Sequence, residues 1–220
     1  MIERELMYFS DPMCSWCYGF GPEIEKLQAR YADQMPVQMI LGGLRPDEEH
    51  PMPERMAREI AHHWEMVHEA SGQPFDYTFF ENHPEFIYNT APACRAVVAA
   101  GRVGTPRPMQ FQHELQRMFY GAGQDPRNVA TFEAAAEIVG IDRGEFRARF
   151  DDPETEEITR QNFALARAFG INGYPTLVLR EQDGDQERHI LVSRGFCKFP
   201  ELENRVQLIV RREVELVPEQ

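Results

Sequence analysis

Strand-type sequence falls near the two ends of this chain, with a long stretch of helical pattern between. Arg4-Glu-Leu-Met-Tyr-Phe-Ser10 and Val37-Gln-Met-Ile-Leu41 are short apolar runs closed by the turn signals Asp11-Pro12 and Gly42-Gly43. Runs of that kind resume at Thr176-Leu-Val-Leu179 and His189-Ile-Leu-Val-Ser193, which flank the Asp-Gly turn of Gln182-Asp-Gly-Asp185 and so predict a hairpin. A lone hairpin is marginal in water, so the two ends must complete one sheet and whatever lies between must be an insertion into it.

Helical periodicity fills the remainder. After Cys17 the residues Ile24, Leu27 and Tyr31 recur at helical spacing, which makes the first 43 residues a strand-helix-strand unit with parallel strands. From Met52 to Ser71 the positions Met56, Ile60, Trp64 and Val67 trace one helix face, and similar patterns follow at 91–101, 106–120, 128–139 and 142–150. Asp152-Pro153-Glu154 is a helix start, with a capping side chain, a proline in the first turn and an acid near the positive end; that helix stops at Gly170. Pro200 opens a last helix with Leu202, Val206 and Ile209 on one face. The expected architecture is α/β, with a discontinuous sheet domain over 1–49 and 166–220 and an all-helical subdomain over 50–165. No Pro/Gly/Ser-rich linker separates them.

Charge and cysteine usage narrow the chemistry. Thirty-six acidic side chains against 23 basic ones leave a net charge of −13, which opposes binding to a phosphate backbone, so nucleic acid is not an expected partner. No run of about 18 apolar residues is present to suggest a membrane span. The opening Met-Ile-Glu-Arg-Glu-Leu-Met-Tyr-Phe lacks the basic and long apolar regions of a signal peptide, so the expected location is cytoplasmic. Four cysteines are too few for a disulfide scaffold, and two of them form Cys14-Ser15-Trp16-Cys17 directly after the first strand.

A Cys-x-x-Cys pair serves either as half a zinc site or as a redox couple. Zinc needs two further ligands. Cys94 and Cys197 stand alone, and His62, His63 and His68 do not fit His-Glu-x-x-His spacing, so neither metal nor bound cofactor is expected. As a redox couple, Cys14 would sit at a helix amino end, where unpaired N–H groups and the positive dipole favour a thiolate. A thiolate attacks a disulfide, and a second thiol one turn on can resolve the mixed disulfide, which makes Cys14 the nucleophile and Cys17 the resolving thiol. Pro22 lies inside the predicted helix, where it implies a bend. Tyr174-Pro175 lies just before a strand, where a proline loses no ladder bond and can be cis.

The Asp-Pro-x-Cys-x-Trp-Cys-Tyr opening at 11–18, Pro22, the long helical insertion, Gly42-Gly43 and Gly-x-x-Gly-Tyr-Pro-Thr at 170–176 together resemble the DsbA family of thioredoxin-fold oxidoreductases. The likeness spans essentially the whole chain and is nearest in motif to cytoplasmic FrnE-type and related DsbA-like proteins. It implies a thioredoxin-like fold with a large helical insertion, an active pair at Cys14 and Cys17, and a cis-proline at Pro175 facing them. Tyr174 then inherits the substrate-contact position, and Ser15 and Trp16 complete the candidate substrate-binding residues. One departure is Cys94, which stands where relatives often carry histidine in Asn89-Thr90-Ala91-Pro92-Ala93-Cys94; its simplest reading, like that of Cys197, is a small buried residue. Asp11 reads as a turn former rather than a tuner of Cys14.

The expected function is thiol-disulfide exchange, by reduction or isomerisation, on a protein disulfide or a small thiol substrate. Two rivals are an isomerase or transferase dependent on a low-molecular-weight thiol on the same scaffold, and a non-catalytic DsbA-like adaptor that binds a partner protein. The sequence leaves oligomeric state, redox potential and electron donor open.

Overall fold

Strand β1 (Glu3–Ser10) organises the sheet. In the computed structural model, which describes residues 2–32, 34–104 and 108–211, β1 pairs in parallel with β2 (Val37–Leu41) and antiparallel with β3 (Thr176–Asp183). Strand β4 (Gln186–Arg194) turns back on β3 to give the order β2-β1-β3-β4. The register sets Leu6 opposite both Val37 and Leu179, and Phe9 opposite both Ile40 and Thr176.

A strand between two partners and covered on both faces reads as a continuous apolar run, which is why Leu6-Met-Tyr-Phe9 does not alternate. Leu6 and Tyr8 face a core made with Phe20, Ile24 and Leu27 of α1 (Ser15–Tyr31) and Leu202, Val206 and Ile209 of α9 (Phe199–Val210). Met7 and Phe9 face the other way, toward Ile40, Val178 and Ala166.

Between β2 and β3 run α2 (Glu54–Ser71), α3 (Phe79–Asn82), α4 (Ala91–Arg102), α5 (Pro108–Gln116), α6 (Val129–Ile138), α7 (Arg143–Asp151) and α8 (Pro153–Ala168). Their core centres on Trp64, fully buried among Phe75, Phe79, Phe80, Phe119 and Tyr120. The same cluster takes in Met13, Tyr18 and Leu41, so the insertion packs directly on the segment around the cysteine pair. Helix α8 crosses residue 165 and packs on β2. Asp152 caps it, accepting from the Glu154 N–H at 3.0 Å.

Three elements depart from the expected ones. The hairpin strands extend to Asp183 and from Gln186, beyond the apolar runs, because charged pairs continue the ladder: Arg4 on the buried Glu181 at 2.7 Å and Arg180 on Glu187 at 2.9 Å. Only Gly184 and Asp185 remain as the turn, with Gly184 at φ 59°. The helix expected over 106–120 starts at Pro108, with 106 and 107 outside the described residues, and finishes as a wider π turn over Arg117–Gly121. Helix α3 is a single turn, too short to leave a periodic signal. Residues 212–220 of the expected sheet domain also lie outside the described residues. No helix among the described residues is long and apolar enough to cross a membrane.

Candidate active site

The loop after β1 delivers Cys14 to the start of α1. Cys14 is the extended residue preceding the helix, its N–H donates to the Asp11 carbonyl at 3.1 Å, and its own carbonyl accepts the Tyr18 N–H at 3.1 Å. No side chain caps the first turn. Both members of the pair are free thiols: Cys14 is 7% exposed and Cys17 0%. Ser15 and Trp16 are half-buried, with the Trp16 ring 6.0 Å from that of Phe196. Pro22 lies within α1, which continues to Tyr31. Gly19 lets α1 approach α2 closely, since a Cβ there would fall 2.8 Å from Val67. Tyr18 stacks on Tyr120 with ring centroids 5.1 Å apart.

The Tyr174–Pro175 peptide is cis and stands over Cys14: the Cys14 thiol donates to the Tyr174 carbonyl at 3.4 Å. The Pro175 carbonyl is occupied by the Gly195 N–H at 2.8 Å. The Tyr174 hydroxyl donates to the Gly42 carbonyl at 2.8 Å, and a Cβ on Gly42 would lie 1.9 Å from the Tyr174 ring. Gly43 follows at φ 64°, a conformation that favours glycine, with the Phe163 ring against it. The Gly-Gly pair thus serves two separate needs, one steric and one conformational.

Asp11 is more than a turn former. Its Oδ1 accepts the Met13 N–H at 2.8 Å, which is the turn, but its Oδ2 accepts the Leu44 N–H at 2.7 Å and the Cys94 thiol at 3.5 Å. It is fully buried. Burial pushes its carboxyl up to about 6, against the two backbone N–H bonds that hold it down. Cys94 is a buried small residue on α4, as expected, and in addition a hydrogen-bond donor to this carboxylate. Burial and the charge of Asp11 push the Cys94 thiol well above its ordinary range. Cys197 lies in the sheet core with Phe20 and Leu202.

The balance at Cys14 runs opposite to the dipole argument. The Cys17 thiol beside it and burial push the Cys14 thiol well up, and the Asp11 charge adds to them; the Cys17 backbone N–H alone pulls it down. A sulfur that shares a hydrogen bond with a second thiol and is closed off from water keeps its proton more tightly than a free cysteine.

Several supporting residues escaped the sequence reading. Gln112 donates to the Ser10 hydroxyl at 2.7 Å, Gln116 to the Asp11 carbonyl at 3.4 Å, and the Tyr88 hydroxyl to the Met13 carbonyl. Gln112 and Gln116, buried polar residues four apart, lie on one helix face, a spacing visible in the sequence. Tyr88 left no comparable signal.

Residues 5–203 match the model of the DSBA-like thioredoxin domain. The chain belongs to this family. Its fold is the DSBA-like thioredoxin fold, a mixed four-stranded sheet with a helical insertion, and membership places it among thiol-disulfide oxidoreductases at family level. A candidate protein disulfide isomerase from Nitrosomonas europaea superposes with a TM-score of 0.85 at 32% identity, over 96% of this chain and 100% of that one. The cytosolic disulfide reductase DsbM from Pseudomonas aeruginosa superposes at 0.71 with 19% identity, over 96% and 100%. The ClpXP adapter protein SpxH of Halalkalibacterium halodurans is 23% identical over 83% of this DSBA-like chain, which spans 60% of that protein's length.

Proposed function

We propose that this DSBA-like chain is a cytoplasmic dithiol-disulfide oxidoreductase that works in the reducing or isomerising direction, with Cys14 as nucleophile and Cys17 as resolving thiol. What carries the reading is the placement of the Cys14 sulfur 3.4 Å from the Tyr174 carbonyl with Cys17 wholly shielded behind it. An arriving disulfide would meet Cys14 first, alongside the backbone of Tyr174 and Pro175 and the half-buried Ser15 and Trp16. The Cys14 thiolate attacks one sulfur, forming a mixed disulfide and expelling the other as thiolate; Cys17 then attacks Cys14, closing the Cys14–Cys17 disulfide and releasing the second thiolate. Two electrons pass to the substrate, and an external thiol must return them.

The raised Cys14 thiol supports the reducing direction. Strong oxidants of this chemistry stabilise their reduced form as a low-pKa thiolate, and here that stabilisation is missing. DsbM, a cytosolic disulfide reductase also solved with GSH, is a structural neighbour in keeping with this direction and with a reducing compartment. The SpxH relatives favour a second reading, a protein-binding adaptor.

Cys17→Ser separates the two. The oxidoreductase reading expects Cys14-dependent mixed disulfides with client proteins in cell extract and turnover of small disulfides by the wild type. Turnover without adducts points to a low-molecular-weight substrate; neither adducts nor turnover overturns the enzyme reading in favour of the adaptor.

A further inference from the structure

A cavity of about 630 Å³ opens between the start of α4, the side of α8 and the loop after β2, and Cys14, Cys17, Tyr174 and Pro175 are not among its lining residues. Its size is that of a small-molecule site. In a chain with a net charge of −13, three arginines line it, Arg95, Arg160 and Arg167, against two carboxylates, Asp47 and Glu156. The wall therefore carries both signs with a surplus of one positive charge.

Two of the three guanidinium groups lack a full set of partners. Arg95 is only 26% exposed and lies 5.0 Å over the Phe150 ring, and its Nε is buried without a hydrogen-bond partner. Its nearest carboxylate oxygen, on Glu156, stands at 3.7 Å, too far for a hydrogen bond. Arg167 has no ion-pair partner among the described residues, whereas Arg160 is held by Glu157 at 2.6 Å. A guanidinium donor without an acceptor is costly; the Arg95 Nε is closed off from the cavity itself, so an occupant would meet the outer nitrogens of this partly exposed side chain. Phe150 and Phe163, at 8% and 7% exposed, supply an apolar floor between the charged groups.

We infer that this cavity binds a zwitterionic small molecule of amino-acid or short-peptide type, its carboxylates on Arg95 and Arg167, its ammonium facing Asp47 or Glu156, and its apolar part on Phe150 and Phe163. Arginine forks match carboxylates bidentately. A single surplus charge, spread over separate walls with no glycine among the lining residues to form a backbone nest, does not suit a multiply charged phosphate. The site is independent of the redox reading, although Phe163 also packs on Gly43, so an occupant shares a wall with the loop that holds Tyr174 and Asp11.

The probe is S-methylglutathione, a peptide with two carboxylates, one ammonium and no free thiol, titrated calorimetrically into the full chain. The expected result is saturable binding, unchanged in the Cys14→Ser/Cys17→Ser protein and weakened about tenfold or more by Arg95→Gln and, separately, by Arg167→Gln. Arg167→Gln, on an exposed side chain, keeps the test open should Arg95→Gln fail to fold. Absence of saturable binding, binding lost with the cysteines, indifference to both arginine substitutions, or inorganic phosphate binding as tightly as the peptide would each overturn the assignment.

Discussion

Replacing Gly42 with alanine should cost stability through one identifiable collision. The new methyl would sit 1.9 Å from Cζ, 2.0 Å from Cε1 and 2.2 Å from the hydroxyl of Tyr174. Carbon atoms rest at about 3.5–4.0 Å, so the ring must move by roughly 2 Å. That displacement breaks the 2.8 Å bond from the Tyr174 hydroxyl to the Gly42 carbonyl and draws the Tyr174 carbonyl away from the Cys14 thiol. Overpacking costs about 1–3 kcal/mol and the lost hydrogen bond about 1 kcal/mol, a total near 3 kcal/mol. For a chain of this size that lowers Tm by about 6–12 °C. Thermal unfolding followed by circular dichroism measures the loss, and iodoacetamide should label Cys14 faster in the variant. The control is the same substitution in a Tyr174→Ala background, where the methyl meets no ring and should cost under about 0.5 kcal/mol. A Gly42→Ala protein as stable as the wild type, or an equal cost in both backgrounds, would refute the clash.

Asp11 should make stability depend on pH in an unusual sense. Its folded pKa of about 6 lies above the ordinary 3.8, so the folded state binds this proton more tightly; its contribution is full below about 4 and is lost as pH rises through 6. A shift of that size is worth about 3 kcal/mol, so the urea stability of wild type relative to Asp11→Asn should drop by about 2–3 kcal/mol between pH 4 and 7, and a flat difference would remove the argument. Cys14, Cys94, Tyr88 and Tyr174 around it are all shifted upward and stay protonated over that window. In the reduced protein, limiting iodoacetamide should modify Cys14 before Cys17, at a rate that climbs with pH above neutral; preferential labelling of Cys17 reverses the assigned roles. Trp64→Ala should cost about 3–5 kcal/mol, and a loss below about 1 kcal/mol would mean that the insertion is not organised around that ring.

What could be read from sequence was whatever depends on neighbours along the chain. Leu6-Met-Tyr-Phe9 announced a doubly covered strand, Asp152-Pro153-Glu154 announced the start of α8, and Cys14-Ser15-Trp16-Cys17 directly after a strand marked the candidate site. What could not be read depends on groups that meet only in the fold. Gly42 needs its missing Cβ because of a tyrosine 132 positions later, and Asp11 gains its second role from Leu44 and Cys94. The state of the Cys14 thiol has the same root: its place at a helix end follows from position in the chain, while the neighbouring Cys17 thiol and the burial that push it up are set by the packing around it. The hairpin ends carry no apolar alternation to read, because charged pairs such as Arg180 on Glu187 and Arg188 on Glu181 hold the strands together beyond the apolar runs.

The central pairing of the sheet joins residues made far apart in time. Phe9 meets Ile40 early, but its other partner is Thr176, and Tyr174, which covers the Cys14 sulfur, precedes that strand directly. At about 5–20 residues per second, ribosomal synthesis leaves Cys14 and Cys17 without this cover for roughly 10–30 s. During that interval the insertion can collapse on itself through contacts close in sequence, while the sheet waits for a long-range closure of high entropic cost. The thiols are therefore open to oxidants and alkylating reagents on the growing chain, and their cover is completed only when the last strands arrive.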